Sequence, residues 1–222
     1  MSEIKLPQRP SRSLKLFAAE EDWWQCGYVY SEERGKWYGS VWDAYADGYL
    51  EAVKCLIKAV KRNELSTDTF GYPIFFLFHQ YLELRMKEII RSARILSGDN
   101  SRFQKGHDLT QLWGECKKVL KGLEEWKDYN ELDDEARQNC LTLDYFIREM
   151  NKDPQGQSFR YPVDRKGNHL LNGETIQALN VKNLATVVEW VSMELDGIST
   201  GISEARDAQA ECRAEFEGES YI

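Results

Sequence analysis

Apolar side chains recur at steps of three and four along most of the chain, which is the spacing of helices with one buried face. Trp42, Tyr45, Tyr49, Ala52, Val53, Leu56, Ile57 and Val60 form one such stripe, while Glu51, Lys54, Lys58, Lys61 and Arg62 keep to other positions. Ser40 followed by Asp43 resembles a capping box and predicts the start of this helix. Asn63 to Gly71 reads as a loop into a second, longer helix over Tyr72–Leu96, opened by Pro73, a residue suited to a first helical position. Ile74 to Phe78 is apolar on every side, and Leu82, Met86, Ile89, Ile90 and Ala93 then narrow to a stripe. That pattern predicts a first half in the core and a second half at its rim, with Phe75, Phe76, Phe78 and Leu82 buried. Two long helices and a short loop imply an antiparallel pair.

Further along, Asp108 with Gln111 predicts the cap of a third helix, burying Leu109, Leu112, Trp113, Cys116, Leu120 and Leu123. Asp133 predicts a fourth, with Ala136, Cys140, Leu143, Ile147 and Met150 inward. A fifth starts near Asn180 and buries Leu184, Val187, Val188, Val191, Leu195, Ile198 and Ile202. Between the last two, Pro154, Gly156, Pro162, Gly167 and Gly173 break the period, and Gly167-Asn168 is a turn signal for a short hairpin. The expected fold is all-α, an up-and-down bundle of four to five helices over 40–203. An N-terminal aromatic arm, 1–39, precedes it, and an acidic, solvated extension, 204–222, follows.

The net charge of -8, from 37 acidic and 29 basic residues, opposes non-specific attraction to nucleic acid, so any such role needs a local patch. No apolar run is long enough to span a membrane and the first residues lack the apolar core of a signal peptide, which predicts a cytoplasmic protein with no membrane partner. Five scattered cysteines, Cys26, Cys55, Cys116, Cys140 and Cys212, read as small core residues in a reducing compartment. None has metal-ligand spacing, and there is no phosphate loop or nucleophile elbow, so neither metal nor cofactor is expected.

His79 and Glu83, four apart on the second helix, share a face. Such a pair is either a carboxylate orienting an imidazole for acid–base work or a buried polar pair that satisfies itself, with Lys87 also in reach of Glu83; the second is the commoner case. His107 lies just ahead of a helix start, where it can serve as a packing element or a base. Arg160, Arg165 and Lys166 could bind phosphate, extended by Arg91, Arg94, Arg102 and Lys105, or Arg160 could be buried against an acidic helix residue.

Three pieces in order resemble the HEPN family of helical domains, found in toxin, antitoxin and defence proteins. They are His79-Gln80-Tyr81-Leu82-Glu83-Leu84-Arg85-Met86-Lys87, the helix start Gly106-His107-Asp108-Leu109, and Arg160-Tyr161-Pro162 followed by Asp164. The likeness covers about Ser40 to Ile202 and makes His79, Glu83, Arg160 and Asp164 the candidate binding residues. It implies a homodimer or a complex with a partner protein. Many members are metal-independent ribonucleases marked by Arg, four to six residues, then His; Arg102 and His107 match that spacing, although Phe103 replaces the usual polar residue and the match precedes the third helix. Two functions therefore stand. One is an accessory or regulatory component of a prokaryotic defence or toxin–antitoxin system, favoured by the degenerate signature and the acidic charge. The other is a HEPN ribonuclease acting on RNA, with His107 as acid or base and Arg102 on the phosphate.

Overall fold

The computed structural model describes residues 40–99, 106–123, 133–171 and 178–219. The aromatic arm, and with it the expected cover over the helices, lies outside the described residues, as do Arg102 and Lys105. Five helices are present among them: α1 (Val41–Lys61), α2 (Thr67–Leu96), α3 (Leu109–Lys121), α4 (Asp134–Met150) and α5 (Val181–Glu219). The fold is all-α, as the periodicity implied.

The caps form where oxygen-bearing side chains precede the apolar stripes. Ser40 accepts from the Asp43 amide, Asp108 from that of Gln111, and Asp133 from that of Ala136. Asn180 does the same for α5, accepting from the Asn183 amide at 3.0 Å. The start of α2 is a correction. It begins at Thr67, not Tyr72, so Pro73 sits inside the second turn and leaves the Thr69 carbonyl without its usual intrahelical donor. Ser66 supplies no side-chain cap, and Asp68 complements the helix dipole in the first turn. The turns on either side of Pro73 are held by packing: Phe75 stacks on Phe159 of the α4–α5 loop at 3.8 Å between ring centres, and Tyr72 lies against the same ring.

α2 packs against α1, α3 and α5. Arg85 of α2 meets Asp43 and Asp47 at the start of α1, so these two helices are antiparallel. Tyr81 pairs with Asp196, Glu88 with Ser199 and Leu96 with Gln209, so α2 and α5 run the same way. α3 and α4 are antiparallel, with Trp113 on Asp144 and Leu109 on Asn151, and so are α4 and α5, with Phe146 on Trp190 and Asn139 on Glu194. The alternation of directions is thus interrupted once, between α2 and α3.

The burial along α2 reverses the expected order. Residues 81 to 90 are buried on nearly every side, whereas in the first half Tyr72 is exposed and Phe76 and Leu77 are only partly covered. Phe75, Phe78 and Leu82 are buried as expected, and Phe76 is not. Charged side chains caused the misreading: Glu83, Arg85, Lys87 and Glu88 interrupt the apolar pattern, yet all four are buried because they pair with one another and with neighbouring helices.

The stripe of α3 is buried throughout, and that of α4 through Leu143, Ile147 and Met150. α5 runs to Glu219 without a break at 203–204, and residues 211–214 are exposed. Cys116 is a core residue, but Cys55 and Cys212 are exposed, which corrects their reading as core. Among the described residues no helix is long and apolar enough to cross a membrane.

Candidate functional site

Two polar clusters are built on opposite aspects of the buried half of α2. The first joins Glu83, Lys87, His107 and, one turn earlier, His79. α3 is braced at its start by Asn151, whose amide oxygen accepts from the Leu109 N–H at 2.9 Å and whose amide nitrogen donates to Asp108 at 3.2 Å. That brace sets the preceding residue, His107, against α2. Its Nδ1 lies 2.9 Å from Glu83 Oε1, and Lys87 Nζ donates to the same oxygen at 2.6 Å. The Glu83 side chain is 6% exposed and the His107 side chain 60%. A buried carboxylate thus orients a solvent-reaching imidazole, an arrangement able to pass a proton through its other ring nitrogen.

His79 is 1% exposed, and among the described residues neither ring nitrogen makes a hydrogen bond of good geometry, the Asp153 backbone being the polar group that approaches it; Glu83 Oε2 also lacks one. The expected His79–Glu83 pair therefore shares a helix side without satisfying itself, and Glu83 is matched by Lys87 and His107 instead. The turn after α4 closes over His79. Gly156 takes φ +61°, its N–H donates to the Asp153 carbonyl at 2.9 Å, and a Cβ there would stand 3.4 Å from the imidazole. The buried Asp153 carboxylate accepts from the Ser158 N–H and hydroxyl. Burial pushes the His79 pKa below its ordinary 6.5, although the charges of Asp153 and Glu83 pull the other way.

A folded-state pKa below the unfolded one makes His79 a stabiliser above about pH 6.5, a contribution lost as pH falls through the depressed value. Urea midpoints measured between pH 7.5 and pH 5.5 are expected to fall for the parent and to fall less for His79→Leu. Equal slopes would mean the imidazole is hydrated or charged in the native state.

The second cluster centres on Arg85 and was not foreseen. Its guanidinium contacts Asp43 and Asp47 of α1, Asp196 of α5 and Glu88 of its own helix. Glu88 in turn accepts from the hydroxyls of Ser92 and Ser199, both at 2.7 Å, and Tyr81 donates to Asp196 at 2.9 Å. Burial works against the Arg85 charge, but Asp196, Tyr81, Asp43 and Asp47 outweigh it and raise its pKa further. Glu88 is raised by burial, with the two serine hydroxyls opposing. The sequence signal was Asp43 and Asp47 one turn apart, on the helix whose apolar stripe packs on α2, facing a cationic residue set among apolar ones. It is a clamp on three helices and holds no open position.

Arg160 and Asp164 lie in the α4–α5 loop. Arg160 is exposed, with its guanidinium over the rings of Phe76 and Tyr161 at 5.8 and 5.1 Å. Asp164 is consumed by its own turn. It accepts from the Lys166 and Asn168 amides and from the Asn168 side chain, which hold its pKa low, and Val163 bridges antiparallel to His169 as the turn signal implied. The structure therefore unites His107 with Glu83, sets His79 beneath them, and leaves Arg160 and Asp164 on a separate loop surface. A cavity of about 650 Å³ between α4 and α5 touches Phe75 and Phe159, but its charged lining residues, Glu149 and Lys152, pair with each other at 2.9 Å. Among the described residues no three His, Cys, Asp or Glu are grouped to hold a metal ion.

No protein-family model matches the chain, and no curated protein or solved structure matches it either.

Proposed function

We propose that the chain is a HEPN-like accessory or regulatory protein of a prokaryotic defence or toxin–antitoxin system, cytoplasmic, working by association as a homodimer or with a partner protein. The observation that carries this reading is the exposure of large apolar side chains on the outer sides of α4 and α5, where Leu141, Tyr145 and Met193 are 46%, 58% and 60% exposed. Leu141 and Tyr145 stand one turn apart on α4, and apolar side chains exposed in this way favour association where a partner covers them. The residues behind the family likeness support the same reading, since Glu83 and Arg85 are buried in ion pairs and Asp164 is folded into its turn. A second reading, a metal-independent endoribonuclease, draws on the exposed imidazole of His107 held by Glu83. Purified protein incubated with RNA in the presence of a chelator is expected to leave it intact, and His107→Ala is expected to change only stability or partner affinity. Metal-independent cutting that disappears in the His107→Ala variant would replace the first reading with the second.

A further inference from the structure

The α4–α5 loop carries a feature that neither reading uses. Among the described residues Arg160, Arg165 and Lys166 have no carboxylate partner, although the chain has an excess of acid and Arg85, Arg94, Lys87 and Lys117 are all ion-paired. The loop is also rigidly presented. Phe159 is stacked into α2 against Phe75, and Asp164 ties the turn at Lys166 and Asn168. Two of its aromatic neighbours face outward, Tyr161 and Tyr72 at 47% and 50% exposed, and Phe76 lies partly buried beneath Arg160. Arg160 joins the loop to the first turns of α2, lying over both Phe76 and Tyr161, and Arg165 and Lys166 follow in the same turn of the loop.

We propose that Arg160, Tyr161, Arg165 and Lys166, together with Tyr72 and Phe76, bind single-stranded nucleic acid. Bases stack on the exposed rings, and phosphates pair with the three cations. Single strands fit better than duplex, because stacking needs unpaired bases and the loop pairs only at the single Val163–His169 bridge, too short for the two-stranded ribbon that enters a groove. They also fit better than an acidic protein segment, which would use the cations and leave the tyrosines idle. The proposal is independent of the reading above, because it needs neither cleavage nor the exposed apolar side chains of α4 and α5.

The test is fluorescence anisotropy of the full chain with a labelled oligoribonucleotide, its DNA counterpart and the matching duplex, at low salt. Single strands are expected to bind and the duplex to bind much more weakly. Tyr161→Ala should weaken binding about tenfold, within the usual range for one stacked base, and Tyr161→Phe should bind like the parent. Removing both Arg165 and Lys166 should lower the slope of log affinity against log salt by about 1.4, the value for two phosphate contacts on a single strand. Lys182→Ala, on exposed α5 surface, is the neutral control. Absence of binding at low salt overturns the proposal. So does an affinity unmoved by Tyr161→Ala together with equal displacement by poly-glutamate, which would make the loop a docking site for acidic protein.

Discussion

Arg85→Met is expected to lower the free energy of unfolding by about 3 to 5 kcal/mol, the range for removing one partner of a buried ion cluster. The side chain is 5% exposed, as is that of Glu88, while Asp43, Asp47 and Asp196 retain some access to water. Methionine keeps most of the volume, so the loss arises from carboxylates left facing one another without a cation. The exposed partners are screened, so Asp47→Asn alone should cost at most about 1 kcal/mol. Arg85 joins α1 and α5 to the same point of α2, and its removal should also loosen their docking. Urea unfolding followed by circular dichroism measures both effects. A variant within about 1 kcal/mol of the parent would mean that water reaches the cluster, because a hydrated cluster has little left to lose.

Phe78→Ala is expected to cost about 3 to 5 kcal/mol, and Phe76→Ala much less, although the two residues lie two apart in the same apolar run. Phe78 is 0% exposed and stacks on Tyr81 at 5.8 Å, itself tied to Asp196, so its loss leaves a cavity between helices held in place by polar contacts. Phe76 is only partly covered, at the edge of the core with the Arg160 side chain over its ring, and that side chain can settle into the space. The contrast in thermal midpoints between the two variants is the measurement. Similar losses would restore the picture of an all-round buried first half of α2.

Helix identity and capping were legible in the chain because both depend on neighbours within a turn or two. Ser40, Asp108 and Asp133 cap the helices they were expected to cap, and the α3 stripe is buried from Leu109 to Leu123. The start of α2 was not legible, since Pro73 looks the same at a first position as in a second turn, and the contacts that permit the latter come from Phe159, more than eighty residues away. The candidate site was half legible. The spacing of His79, Glu83 and Lys87 puts them on one side of a helix, but the partner that Glu83 takes was open until His107 was set beside it.

By itself the sequence determined that the described residues are helical, where most of those helices lie and most of their inner faces, because propensity, period and capping act locally. Only the tertiary structure decided which charges are buried. Arg85 and Glu88 read as the polar side of a rim, and Glu83 was expected inside only as the partner of His79; they are interior because their counter-charges and hydroxyls arrive from α1, α5 and the loop before α3. The cost of burying a charge depends on partners that are distant in the chain, so no local pattern can carry that information.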